Sequence, residues 1–89
     1  MLSTRARNLL RRISESEDGE LVRNVPGGCW VDDHQVNGRD VMELLRYCLI
    51  HCDLGFGTNY EVFSLNEEGR AILVDPNYQP LILRAIGSQ

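Results

Sequence analysis

Apolar residues return early in the chain at Leu2, Ala6, Leu9, Leu10 and Ile13. The spacing i, i+4, i+7, i+8 and i+11 puts them on one face of a helix over residues 3–14. Ser3 stands where a hydroxyl can cap the first turn. The helical period is lost in the polar stretch Ser14 to Gly19. Glu20 to Val25 and Cys29 to Asp32 then read as short strands around Pro26-Gly27-Gly28, a turn composition that supplies a fixed φ and permissive glycines. The expectation is a hairpin, with Trp30 as a core anchor because one large ring contributes much of the buried area in a small domain.

A second helix is predicted over residues 38–49. Asn37 can cap it, Asp40 stands like the acid of a capping box, and Val36 can close against Val41 as a hydrophobic staple. Val41, Leu44, Leu45, Cys48 and Leu49 form its apolar stripe, leaving Arg39, Glu43, Arg46 and Tyr47 to point outward or sideways. Arg39 and Glu43 are an i, i+4 pair. Ile50 to Leu54 alternates apolar with polar, residues 55–59 make a glycine-rich bend, and Tyr60 to Leu65 resumes a strand, giving a second hairpin. Asn66 caps a last short helix, with Glu67 and Glu68 at the positive end of its dipole and Asp75-Pro76 as its stop. The tail holds Leu81-Ile82-Leu83 and Ile86, which can pack as a helical turn or as an edge strand. As an edge strand it offers a route to a homodimer.

The fold class predicted is α+β: one small domain over residues 1–89, with three helices and two short β-hairpins. At this length the buried share of the surface is modest and the margin of stability thin. Three cysteines, an odd number, and the lack of an apolar leader argue against a secreted disulfide scaffold, so reduced thiols and a cytoplasmic location are expected. No apolar run approaches the eighteen or so residues that span a bilayer, and no membrane partner is expected.

All nine basic residues are Arg, and thirteen acids bring the net charge to -4. The positive charge is uneven. Arg5, Arg7, Arg11 and Arg12 precede any acid, and Glu15, Glu17, Asp18 and Glu20 follow at once. The four Arg read as a solvated helix face that can become a set of phosphate contacts if the partner is nucleic acid.

Candidate chemistry is sparse. Cys29, His34, Cys48, His51 and Cys52 include ligand types that zinc accepts, but no Cys-x-x-Cys knuckle gathers them. The thiols are expected as buried structural groups and the two histidines as surface or packing residues. Cys52 and His51 are neighbours on a strand and point to opposite faces, so they do not form a nucleophile with its base. Gly55-x-Gly57 lacks the following helix of a phosphate-binding fingerprint. Neither catalytic residues nor a metal or other cofactor are expected.

The segment Val36-Asn37-Gly38-Arg39-Asp40-Val41 through Leu44-Leu45 and Leu49-Ile50, then Tyr60 and Leu65-Asn66-Glu67-Glu68-Gly69-Arg70-Ala71-Ile72-Leu73, resembles a winged-helix domain. The resemblance covers a little under half the chain. It implies a recognition helix ending in a leucine-isoleucine pair, a β-hairpin wing and a final helix opened by a cap residue and two acids. Two departures stand out. Residues 20–36 show no helical stripe where such domains carry a scaffold helix. The predicted recognition helix balances Arg39 and Arg46 with Asp40 and Glu43, and the wing carries Asp53 and Glu61 with no Lys or Arg.

Two functions follow. The first is a non-enzymatic regulator or inhibitor that binds another protein, with Arg39, Glu43, Arg46, Tyr47, Phe56 and Asn59 as the contact set. Small acidic proteins of this style resemble phage and prophage accessory products, including inhibitors of nucleic-acid-handling machinery. The alternative is a DNA-binding transcriptional regulator that uses the 38–49 helix in a major groove, with Arg5, Arg7, Arg11 and Arg12 on phosphates. Charge balance on the helix and wing favours the first.

Overall fold

The computed structural model describes residues 2–24, 27–55, 57–75 and 77–79. Phe56, Pro76 and the apolar tail from residue 80 onward lie outside the described residues, so the expected wing-tip anchor and the edge-strand route to a dimer lie there too. In chain order the elements are α1 (Thr4–Glu15), β1 (Glu20–Asn24), β2 (Gly28–Val31), β3 (His34–Val36), α2 (Gly38–Arg46), β4 (Ile50–Leu54), β5 (Tyr60–Leu65) and α3 (Glu67–Val74). The class is α+β.

Helix α1 follows its pattern closely. Ser3 Oγ accepts the Ala6 N–H at 3.1 Å, and Ala6, Leu9, Leu10 and Ile13 are its buried residues. The strands depart further from expectation. Both predicted hairpins form, but β1 also pairs with β5 along its whole length, from Glu20 opposite Ser64 to Asn24 opposite Tyr60. The result is one antiparallel five-stranded sheet in the order β3-β2-β1-β5-β4.

The third strand has its own cause. Asp32 and Asp33 adopt φ of 49° and 65°, two consecutive left-handed residues whose twist matches a two-residue hairpin. The strand expected over Cys29 to Asp32 ends at Val31, and Asp32-Asp33 turn β2 into an unexpected β3, so that strands and no scaffold helix occupy the described residues between α1 and α2. Asp tolerates the left-handed region less well than Gly. Asp33→Gly is therefore expected to raise stability by about 0.5–1 kcal/mol, visible as a higher urea midpoint at unchanged slope. A lower midpoint would contradict this account of the turn.

The helices all pack on one face of the sheet. Leu21, Cys29, Val31, Ile50, Phe63 and Leu65 meet Leu10, Ile13, Val41, Leu44 and Ile72 in a single core. Trp30 is not part of it, which corrects the expectation of a core anchor. Strand alternation sends Cys29 and Val31 inward and leaves Trp30 half-buried on the opposite face.

Helix α2 is also shorter than its apolar stripe suggests. Asn37 caps it, accepting the Arg39 N–H at 2.8 Å, but the helix ends at Arg46. Cys48 then takes φ of 56°, while Cys48 N–H donates to Leu45 O and Leu49 N–H to Leu44 O, each at 3.0 Å. These bonds close the helix in a left-handed C-terminal cap. Cys48 is exposed and Cys52 half-buried, so only Cys29 is the buried thiol expected. Leu49 is buried beyond the helix.

That cap sets the start of α3. Asn66 Nδ2 donates to Cys48 O at 2.7 Å, its own N–H donates to Leu49 O at 3.2 Å, and its Oδ1 accepts the Gly69 N–H at 2.9 Å. One asparagine ties the end of α2 to the first turn of α3.

Candidate functional site

Arg39, Met42, Glu43 and Arg46 recur at i, i+3, i+4 and i+7, the outward stripe of α2. The same residues, with Tyr47, Ser3, Arg23 and Cys29, line a groove of about 670 Å³ along the helix. Four of the six contact residues expected from sequence thus converge: Arg39, Glu43, Arg46 and Tyr47. Asn59 lies apart, exposed at the tip of the β4–β5 hairpin.

The charges of α2 do not cancel at the surface as their count suggests. Glu43 turns toward α1, where Oε2 accepts the Ser3 N–H at 2.6 Å and Oε1 accepts the Ser3 hydroxyl at 2.9 Å. It completes the N-terminal cap of α1 from a distance, and no Arg39–Glu43 ion pair forms among the described residues. Asp40 turns the same way and lies 3.6 Å from Arg5 Nε. What α2 presents outward is Arg39 and Arg46 around Met42, whose side chain is 56% exposed. An exposed thioether between two guanidinium groups suits a surface that adapts to a partner. Tyr47 forms one wall, half-buried against the core.

Arg23, half-buried in the lining of the groove, forms an ion pair with the buried Glu61 behind it. Arg23, on the helix-covered face of β1, donates from Nε to Glu61 Oε1 at 2.6 Å, and its NH2 forms a salt bridge to the same oxygen. The guanidinium carbon lies 5.4 Å from the centre of the Phe63 ring, a distance for cation–π attraction. Glu61 is 4% exposed, and its Oε2 accepts the Gly57 N–H at 3.1 Å. The bonds from Gly57 and Arg23 hold its carboxyl below the ordinary range, against the opposing effect of desolvation. The wing acid counted from sequence as a surface charge is therefore neutralised inside the fold. Asp53, the other one, pairs with His51, Oδ1 to Nε2 at 2.7 Å.

The basic cluster of α1 is partly committed as well. Arg5 faces Asp40, and Arg7 donates to Ile72 O at 3.3 Å. Arg11 and Arg12 remain exposed. Met42 and Arg23 were missed by the sequence reading. The i+3 spacing of Met42 from Arg39 was visible, whereas Arg23 gave no sign before the β1–β5 register was known.

Burial pushes the Cys29 thiol up, with Arg23 opposing and Glu61 adding to the shift. A thiol held protonated is a poor nucleophile. Among the described residues no group of three or more His, Cys, Asp or Glu is placed to hold a metal ion, and no helix is long and apolar enough to cross a membrane. Compared with protein-family models, curated proteins and solved structures, the chain gives no significant match to any of the three.

Proposed function

We propose that the chain is a non-enzymatic binding protein, a small winged-helix-like regulator or inhibitor that seats a segment of another protein in the groove beside α2. The observation that carries this reading is the outward face of α2: exposed Met42 flanked by Arg39 and Arg46 over a concave surface. Apolar centre and charged rim are the usual anatomy of a protein interface. Arg39 and Arg46, which form no ion pair among the described residues, favour a partner segment that carries carboxylates beside an apolar anchor.

One feature favours the DNA-binding alternative. With Asp40 and Glu43 turned toward α1, α2 can offer Arg39 and Arg46 to base edges. Phosphate positioning argues the other way: Arg7 donates to a backbone carbonyl, the exposed Arg5 has Asp40 beside it, and no Lys or Arg occurs between Arg46 and Arg70, a stretch that includes the whole β4–β5 hairpin.

Photo-cross-linking tests the reading. With p-benzoylphenylalanine in place of Met42, an adduct to one protein is expected from a cytoplasmic extract. The adduct should weaken about tenfold or more when Arg39→Ala and Arg46→Ala are combined. An adduct that persists unchanged in that background, or cross-links confined to nucleic acid, would refute the proposal.

A further inference from the structure

Among the described residues no helix covers the second face of the sheet, which has a composition of its own. Trp30 of β2, Val22 of β1, Val62 of β5 and Leu54 of β4 are successive cross-strand partners, with Gln35 of β3 completing the row. This rung is apolar on four strands and polar at Gln35 on the fifth; Val62 at its centre is buried, Val22 and Trp30 are half-buried, and the exposed Tyr60 flanks it. Leu54 is 63% and Tyr60 50% exposed. Five strands span about 19 Å, the reach of about six residues of extended chain.

Acids crowd one end of this rung. Glu17 and Asp18 from the α1–β1 connection, Glu20 of β1, and Asp32 and Asp33 of the β2–β3 turn border a cleft of about 580 Å³ walled by Trp30, Val22 and Tyr60. No Arg lines it. The chain's net charge is -4, so removing these five acids would leave +1. Five of the chain's thirteen acids border this cleft.

We infer that the open sheet face is a second docking surface, which takes an arginine- or lysine-rich segment of another polypeptide. Each feature serves that occupant. The rung accepts the aliphatic stems of long basic side chains, the faces of Trp30 and Tyr60 attract their cationic heads, and the carboxylates supply complementary charge at the rim. Nucleic acids and anionic membranes are repelled by the same rim. This surface lies across the sheet from the α2 groove, and its occupancy does not depend on that groove.

Trp30 is the only tryptophan in the chain, so its fluorescence reports on this cleft. In a titration of the full chain at low salt, an arginine-rich synthetic peptide should give a saturable change, and a glutamate-rich peptide of equal length none. Asp32→Asn combined with Asp33→Asn, which keeps residues tolerant of the left-handed turn, should weaken binding about tenfold. Tyr60→Ala should weaken it about three- to fivefold, whereas Arg39→Ala combined with Arg46→Ala should leave it unchanged. Thermal unfolding of each variant checks that the fold persists. Equal affinity in Tyr60→Ala would reduce the effect to diffuse charge attraction and overturn the inference. So would no saturable response, loss of binding in the α2 variant, or self-association that occupies the face with a second copy.

Discussion

Gly69→Ala is expected to destabilise the protein by about 3 kcal/mol, lowering its melting temperature by about 12–24 °C for a domain of this size. Gly69 is buried in the first turn of α3, and a Cβ built there would stand 2.2 Å from the carbonyl oxygen of Leu49. That oxygen cannot simply retreat, because it accepts the Asn66 N–H that docks α3 onto the exit of α2. The substitution must either break this bond or displace α3 from the core. Gly38→Ala is the matched control. A Cβ at Gly38, the first residue of α2, meets nothing within 4 Å, so this change is expected to be neutral or to stabilise by about 0.5 kcal/mol through helix propensity. Similar melting temperatures for the two variants would show that the junction is not the constraint described.

Removing Arg23 should have an effect of the same order. Arg23→Ala leaves Glu61 as a buried carboxylate with only the Gly57 N–H opposite it, at an expected cost of about 2–4 kcal/mol. Glu61→Gln should cost less, because the amide oxygen can still accept from the guanidinium and the charge left without a counterion, on Arg23, is partly exposed to solvent. The pH dependence separates the two further. Because the folded protein holds the Glu61 carboxyl below its ordinary value of 4.5, the unfolded chain binds the proton first as pH falls. The stabilisation from this pair is complete above pH 4.5 and is lost as pH drops through the lower folded value. Urea midpoints measured from pH 6 downward, a range set by the ordinary carboxylate values near 4, should therefore decline less steeply in Glu61→Gln than in the wild type. Parallel curves would place the acid sensitivity on other carboxylates.

Much of the fold was legible because its signals were local. The α1 stripe, the Asn37 and Asn66 caps and the two hairpins each depend on residues within one turn or one strand of each other. Of the misplaced features, the face of Trp30 depends on long-range pairing, while the Cys48 cap and the Asp32-Asp33 turn rest on local left-handed conformations that their residue types signal weakly. Trp30 looks like a core residue until β2 is aligned with β1, after which alternation decides its face. Cys48 fits the apolar stripe of α2, yet the left-handed cap ends the helix before reaching it. The Asp-Asp turn is a weaker hairpin signal than Asn-Gly, and β3 followed from it unseen.

The site was legible in its membership more than in its electrostatics. Arg39, Glu43, Arg46 and Tyr47 could be grouped from helical spacing. Counting charges gave a neutral helix face, but the count has no information about direction. Asp40 and Glu43 lean onto α1, Glu61 turns in to Arg23, and five of the remaining acids, Glu17, Asp18, Glu20, Asp32 and Asp33, collect across the sheet. The protein therefore separates its charge: guanidinium groups beside α2 and carboxylates beside Trp30. That separation came from tertiary structure and changed the expected chemistry of both faces.

The most direct test of the central claim, that the α2 face meets polypeptide and not a polyanion, is a titration of the full chain with mixed-sequence duplex DNA over a range of salt. The account predicts weak attachment at low salt that disappears by physiological ionic strength, about 0.15 M, with Arg39→Ala and Arg46→Ala altering no sequence preference. Saturable, sequence-selective binding at that ionic strength, abolished by the same two substitutions, would contradict it and assign the face to an operator.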